Sequence, residues 1–251
     1  MIYVLLPAYN EESALPPLVS NIGDSFAAGE AAYRIVIVDD GSSDNTVSVA
    51  KELAGKYPID VVPHEVNKGL GAAMLTGFTY LCENASDVDL VVAMDADNTH
   101  DPRLIPKMVE AVEAGSDVVI ASRYAPGGQE VGLSAFRKFL SRGASFLVQA
   151  FFPVKGARDF SCGYRMYRIE ILKKAFTKYG NNFITETSFV CMAEILVKLA
   201  AVPATVSEVG LVLRYDLKEG ASKMKYLKTM ERYIRFLFRE KIHGLGQSSA
   251  Q

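Results

Sequence analysis

The feature that most constrains this chain is an alternation. Short apolar runs, "IYVLLP", "YRIVIVDD", "IDVVPH", "DLVVAMD" and "DVVIASR", are separated by stretches with helical spacing over residues 2–123. The first such stretch, from about Glu11, carries Leu15, Leu18, Val19 and Ile22 at intervals that put them on one helix face. The second opens on the cap-forming residues of "GSSDNT". The third, "NKGLGAAMLTGFTYLCENA", starts rich in glycine, and the fourth is "PRLIPKMVEAVEAG". A strand that is apolar on both faces needs cover on both. Such strands alternating with helices specify an α/β fold with a mostly parallel central sheet and helices on both faces.

After Arg123 the pattern changes. "YAPGGQEVG" reads as a glycine-containing loop, and "SAFRKFLSRGASFLVQAFF" as an amphipathic helix with Phe136, Phe139, Leu140, Phe146, Leu147 and Phe151 largely on one side. "RDFSCGYRMYR" is polar and then strand-like, helices are expected over 169–178 and 186–200, and "ATVSEVGLVLRY" supplies late strands. No repeat or low-complexity linker interrupts the chain.

Composition narrows the function classes. With 251 residues, 49% hydrophobic and 22% charged, the chain can bury a sizeable core and is not a disordered type. A net charge of −2 argues against a nucleic-acid partner, which would call for a basic excess. No apolar run reaches the roughly 18 residues that cross a bilayer. "MIYVLLPAYN" lacks a basic n-region and a cleavage site. The expected location is the cytoplasm, with peripheral membrane contact open. Cys82, Cys162 and Cys191 form no metal-ligand or redox spacing and read as buried reduced thiols, and His64, His100 and His243 are scattered.

The chemistry gathers at strand ends. Asp39, Asp40, Asp95 and Asp97 each close an apolar run. In sheets of this class ligands bind beyond the carboxyl ends of the strands. Four carboxylates on one rim repel unless a cation is shared there. Mg²⁺ and Mn²⁺ prefer carboxylate and phosphate oxygens. The pair in "DAD" can hold such an ion against a diphosphate and offset charge on a leaving group. A helix-capping role for Asp97 or Asp101 is the structural alternative. A dinucleotide site would need GxGxxG after the first strand, where this chain has "PAYNEES", and no GxxxxGK[ST] phosphate loop is present.

"PAYNEE" (7–12), "VDDGSSDNT" (38–46), "NKGLGAA" (67–73), "DADNTHDP" (95–102) and "DFSCGYR" (159–165) occur in this order. Together they resemble the inverting nucleotide-sugar glycosyltransferases of the GT-A fold. Within that group they are most similar to dolichol-phosphate mannose synthases and related polyprenyl-phosphate glycosyltransferases. The resemblance covers about residues 1–225. It implies a GT-A domain over 1–222, with a nucleotide-binding half at 1–123 and an acceptor half at 124–222. It also implies that Pro7, Tyr9 and Glu11 contact the base, that Asp40 with Asp39 holds the nucleoside, and that Asp95, Ala96 and Asp97 form the metal and diphosphate motif. Thr99 stands where those synthases often carry a glutamine. Arg123, Arg214 and Lys223 match cations of the donor diphosphate region, and the expected donor is GDP-mannose or UDP-glucose. For "NKGLGAA" close packing of a helix start is the preferred reading, with Lys68 near the donor.

The acceptor side follows from charge. A phosphate oxygen is already anionic near neutral pH and needs no general base, only cationic guides. "FRKFLSRGASF" offers Arg137, Lys138 and Arg142 among aromatics, and "GYR" adds Arg165. Arg137 is the expected phosphate contact, with Ser161 nearby. A hydroxyl acceptor would instead need a carboxylate base, for which Glu186 and Asp159 are candidates. From Lys223 to Lys241 there are seven basic and two acidic residues, with Leu227, Met230, Ile234, Leu237 and Phe238 at helical spacing. A basic amphipathic helix over 223–243 can lie on an anionic bilayer or pack on protein, and the bilayer is the expected choice. A membrane-protein partner or a homo-oligomer is left open.

Overall fold

A computed structural model describes residues 1–27, 29, 31–215 and 226–243, without the side chains of 135–137, 226–228 and 243. The expected alternation is present as β1 (Ile2–Ala8), α1 (Leu15–Ala27), β2 (Tyr33–Asp39), α2 (Thr46–Ala54), β3 (Ile59–Pro63), α3 (Leu70–Asn84) and β4 (Leu90–Ala93). A 3-10 turn, Pro102–Leu104, leads into α4 (Ile105–Glu113), followed by β5 (Val118–Ser122). The second half adds β6 (Gln129–Val131), α5 (Ala135–Phe151), β7 (Arg165–Arg168), α6 (Ile169–Tyr179), α7 (Cys191–Ala200), β8 (Val206–Gly210), β9 (Val212–Arg214) and α8 (Tyr226–His243).

Seven strands form one sheet in the order β3-β2-β1-β4-β7-β5-β8, and β6 pairs with β9 in a separate two-stranded ladder. β7 runs antiparallel to both β4 and β5, while the other pairs are parallel. Every residue of β4 and β5 is buried, as strands with two covered faces must be. The helices cover the sheet in two groups. α1 packs with α2 and with the turn before α4, whereas α3 packs with α6 and α7. Leu15, Leu18, Val19 and Ile22 of α1 are fully buried, so the predicted face is the packed face.

The order reverses at β1, which has β2 on one side and β4 on the other. Ala8 pairs with Asp39, and Leu5 with Ala93. The main chain continues the ladder beyond the strands: Asp40 N donates to Ala8 O at 2.8 Å and Met94 N to Leu5 O at 3.1 Å. The loops after β1, β2 and β4 therefore emerge side by side at the crevice where this topology binds ligands.

Two expectations are revised by packing. Phe139 and Phe146 do not share the inward side of α5 with Leu140; they are 74% and 72% exposed, while Ala144 and Val148 face the core. "YAPGGQEVG" is not wholly a loop, because its end forms β6 against β9. α8 spans 226–243 of the expected C-terminal helix, whose residues 223–225 lie outside the described ones, and it packs on its own domain through Tyr233, Phe236 and Leu237.

The glycines of "NKGLGAA" serve close approach. Gly69 has φ +92°, and a Cβ on Gly71 would stand 1.8 Å from Glu186 O. The start of α3 is thereby pressed against the 186–189 segment. Gly143 in α5 has nothing within 4 Å of an added Cβ. Opposite outcomes follow by calorimetry. Gly71→Ala should destabilise by about 1–3 kcal/mol through forced backbone movement, and Gly143→Ala should stabilise by roughly 0.5–1 kcal/mol through helix propensity.

Candidate active site

At the reversal point lies a cavity of about 710 Å³. Its floor comes from the loops after β1, β2 and β4, and its far walls from α5, the 161–163 and 187–189 segments, and α8.

The first two loops hold each other. Asn10, at φ 54°, donates its backbone N–H to Ser42 Oγ at 2.8 Å and accepts from Ser43 N at 2.8 Å through its own Oδ1. Glu11 N donates to Thr46 Oγ1 at 2.8 Å, and Asn45 N to Glu12 Oε2 at 2.9 Å. Burial alone would raise the Asp44 carboxyl, but hydrogen bonds from the Thr46 hydroxyl and main chain outweigh it and hold the group below its ordinary value. Pro7, Tyr9 and Glu11 are thus presented to the cavity by a braced loop.

Asp39 and Asp40 differ in role. Asp40 reaches the cavity, but its carboxylate accepts from Lys68 N at 2.9 Å and Gly69 N at 2.8 Å and sits 2.8 Å from His64 Nδ1. His64 Nε2 continues to Thr76 Oγ1 at 2.9 Å. Asp40 therefore anchors the start of α3 to the end of β2. Asp39 is 1% exposed and does not line the cavity; its Oδ2 accepts from Ser42 N at 3.1 Å, and its Oδ1 has no hydrogen-bond partner among the described residues. Lys68 does line the cavity.

The "DADNTHDP" turn is organised from within. Asp97 Oδ1 accepts from Thr99 N at 3.2 Å and from Thr99 Oγ1 at 2.6 Å, and Asn98 takes φ 58° to close the turn. Asp95 N donates to His100 Nδ1 at 3.1 Å. With Nδ1 accepting, the proton of a neutral ring sits on Nε2, 4.0 Å from Asp95 Oδ2. His100 is 4% exposed and stacks on Tyr164 with centroids 5.1 Å apart. A Cβ on Gly163 would stand 3.0 Å from Asp95 Oδ1, so the backbone of "SCGY" runs directly past that carboxylate. Ala96, 3% exposed, lies between the two acids on the cavity.

These two carboxylates suit a small hard cation. Among the described residues no group of three His, Cys, Asp or Glu could hold a metal. A two-carboxylate site matches Mg²⁺ or Mn²⁺, which complete their shells with water and substrate phosphates. Cys162 also lines the cavity, and burial pushes its thiol up to about 12.

Arg123 reaches the cavity from the end of β5 as a paired cation. Its Nε and Nη2 donate to Asp159 at 2.7 Å each, Nη2 donates to Ser161 Oγ at 2.6 Å, and Nη1 donates to Glu130 at 3.3 Å. Asp159 is fully buried; desolvation opposes its charge, and the Arg123 guanidinium overcomes this and lowers the carboxyl. Its oxygens also accept from Ser161 N and Cys162 N, fixing the turn that carries Ser161. Asp159 is therefore structural and absent from the cavity lining, and so is Glu186, which pairs with Arg239 at 2.9 Å.

The remaining expected residues separate as follows. Ser161 is on the cavity wall, 3.1 Å from Ser141 Oγ of α5. Arg165 is not: it is fully buried and donates to Met192 O at 2.5 Å and Phe160 O at 3.0 Å. Arg214 is exposed on β9, while its neighbours Leu213 and Tyr215 line the cavity; alternation along the strand directs Arg214 elsewhere. Lys223 and the Arg137 side chain lie outside the described residues. Sequence reasoning missed His100, whose only signal was its place inside the acidic motif. It also missed Arg232, Thr229, Met230 and Tyr233, which α8 brings to the cavity.

Comparison with known proteins identifies the family and the fold. The family model described as glycosyl transferase family 2 matches residues 3–176. A dolichol-phosphate mannosyltransferase of Pyrococcus furiosus is 35% identical over 242 residues, covering 94% of this chain and 62% of the relative. A polyprenol monophosphomannose synthase of Mycolicibacterium smegmatis is 39% identical over 173 residues, covering 68% of this chain and 63% of the relative. The chain thus spans somewhat over three fifths of the length of either. A solved structure of glucosyl-3-phosphoglycerate synthase from Mycobacterium tuberculosis, with Mn²⁺, UDP and phosphoglyceric acid, superposes with a TM-score of 0.65 at 18% identity. It covers 100% of this chain and 80% of that one, and the shared fold is the GT-A fold expected from the sequence. With more than half of its length matched by the family model, the chain belongs to glycosyl transferase family 2.

Proposed function

We propose that the protein transfers a hexose, mannose or glucose, from a nucleotide diphosphate sugar to a polyprenyl phosphate with inversion at the anomeric carbon. The observation that carries this reading is the division of the cavity walls. Acidic Asp95 and Asp97 stand on the sheet side, while Arg232 and Ser161 stand on the acceptor side among Leu140, Ala144 and Met230. That second wall, cationic within an apolar surround, suits a lipid phosphate. The two carboxylates considered as bases for a hydroxyl acceptor, Asp159 and Glu186, are bound by arginines away from the cavity.

In this reading the "PAYNEE" loop and Asp40 border the nucleoside, and Lys68 and Arg123 border the diphosphate. Asp95 and Asp97 would hold Mg²⁺ or Mn²⁺, which supplies neutralisation of the charge that builds on the departing diphosphate. An oxygen of the acceptor phosphate attacks the anomeric carbon from the face opposite the diphosphate. As that bond forms, the bond from the anomeric carbon to the diphosphate oxygen breaks and its electron pair leaves with the nucleoside diphosphate. No proton need be removed from the nucleophile. His100 and Thr99 serve as positioning residues, since each is hydrogen-bonded to the acid or main chain that would carry the ion. Among the described residues no helix is long and apolar enough to cross a membrane. A membrane-protein partner or a second copy of the chain would serve to hold the enzyme at the bilayer.

The deciding experiment supplies GDP-mannose and UDP-glucose with Mn²⁺ and compares a short polyprenyl phosphate with a soluble sugar acceptor. Transfer to the lipid phosphate is expected; transfer only to the hydroxyl acceptor would refute the reading. Asp95→Asn and Asp97→Asn should each lower turnover by about 10²-fold or more, because transition-state charge loses its counter-ion. His100→Ala should raise the Mn²⁺ concentration needed for half-activity by roughly 10- to 100-fold, the cost of losing a group that orients a ligand. Activity restored at high Mn²⁺ would mark it as positioning.

A further inference from the structure

The Asp40 carboxylate is supplied with donors unevenly. Oδ1 takes two, the Lys68 main-chain N–H at 2.9 Å and His64 Nδ1 at 2.8 Å, while Oδ2 takes one, the Gly69 N–H at 2.8 Å. A carboxylate offers about four acceptor positions, shared between its two oxygens. Oδ1 is therefore filled, and one position on Oδ2 stays open. Asp40 is buried except where it lines the cavity, so a ligand meets that position from the cavity. His64 enforces this division. Its main-chain N–H donates to Asp39 O at 2.8 Å, extending the β2–β3 ladder by one residue and fixing where the side chain starts. With two main-chain N–H groups already donating to it, the carboxylate acts as the acceptor, so Nδ1 carries the proton. In the neutral ring Nε2 then accepts, and the Thr76 hydroxyl of α3, 2.9 Å away, donates to it. The His64 side chain is buried and does not line the cavity, so its effect on a ligand passes through Asp40.

We propose that His64 is a positioning residue for base selection. By occupying Oδ1 it leaves Asp40 a single acceptor turned to the cavity, and that acceptor takes a nucleobase with a ring N–H on its pairing edge, guanine or uracil, over one with a bare ring nitrogen there, adenine or cytosine. The inference rests on the transferase reading above, in which Asp40 borders the nucleoside, and adds the residue that orients it. A ring N–H meets the open position with a charge-assisted hydrogen bond. A bare ring nitrogen meets it lone pair to lone pair and leaves a buried acceptor unpaired, which is costly. Thr76 holds the imidazole plane, so the pair His64–Thr76 ties the base-reading oxygen to α3 as well as to β2. Without the histidine Oδ1 regains an open position and the carboxylate is free to turn. Discrimination between bases then weakens, while the diphosphate end of the site keeps its own groups.

Calorimetry of the full chain with Mn²⁺ compares GDP, UDP, ADP, CDP and pyrophosphate. The unmodified protein should bind GDP or UDP roughly tenfold or more tightly than ADP and CDP, the worth of one hydrogen bond to a charged group. His64→Leu should weaken the preferred nucleotide by about tenfold or more and leave ADP, CDP and pyrophosphate nearly unchanged, so that the ratio collapses. His64→Asn, whose amide N–H can stand in for Nδ1–H, should restore most of the ratio. Thr76→Val, which frees the ring but keeps its contact with Asp40, should move the ratio the same way by less, and it decides the matter if His64→Leu does not fold. In turnover the loss should fall on the donor KM and spare kcat. A histidine that only supports the start of α3 would weaken all five ligands alike and leave the ratio untouched; that result overturns the inference, as does an unmodified protein that binds the four nucleotides equally. An unmodified protein that binds none of the four overturns the transferase reading, and the inference falls with it.

Discussion

Strand β1 is hydrogen-bonded to β2 on one side and to β4 on the other, and the site depends on that placement. Parallel strands in register deliver their carboxyl ends to one level. Main-chain bonds just beyond them, Asp40 to Ala8 and Met94 to Leu5, carry the alignment into the loops. The "PAYNEE" loop and the acidic turn, from distant parts of the chain, therefore share one crevice without a dedicated tether. The only requirement on sequence is that each strand be apolar throughout, because a slip in pairing would turn buried valines outward.

Charge inside this frame is sorted by donor supply. Asp40 and Asp159 each collect main-chain N–H groups together with a side-chain partner, and both brace loops. Asp159 with Arg123 is a buried ion pair in bidentate geometry. Removing one member of such a pair costs on the order of 3–5 kcal/mol because the other charge is stranded. That penalty explains why Arg123 can border the cavity and still be immobile. Asp95 is different in kind, with a side chain 33% exposed toward the cavity. Acids that brace the frame and acids that face the ligand are thus distinguishable by burial, although in sequence they look alike.

Legibility followed the same line. The five apolar runs of the first half were readable because strands covered on both faces admit little else. β7 was readable as a strand but not in direction, since four residues carry no sign of polarity. β6 spans three residues, too short for any period to register, whereas β9 falls within the expected late strands. Arg165 read as a surface guide because arginine seldom has zero exposure, yet the carbonyls of Phe160 and Met192 satisfy it in the core. In α5 the aromatics suggested the packed side, whereas the smaller Ala144 and Val148 occupy it, because a helix held close to its neighbours needs small residues there. The acidic turn was legible in its cavity-lining acids, Asp95 and Asp97, and not in His100, which acts through a main-chain N–H that no motif displays.

The C-terminal helix packs Tyr233, Phe236 and Leu237 on the domain and leaves Ile234, Phe238 and Ile242 exposed on its other face. Its basic amphipathic sequence fits a bilayer, but fully buried Glu194 lies within reach of Arg239, at 3.3 Å, and accepts from Lys198, Thr185 and the Glu186 main chain. A carboxylate with no exposure requires cations brought to it, and α8 supplies one. The same contact sets the helix against the 185–189 segment, whose Thr187, Ser188 and Phe189 line the cavity beside Met230 and Tyr233. Two walls of the site, separated by about forty residues in the chain, are thereby fixed to a single buried charge. Whatever its outer face meets, the inner face of this helix is a wall of the site, and its position is an electrostatic consequence of the core.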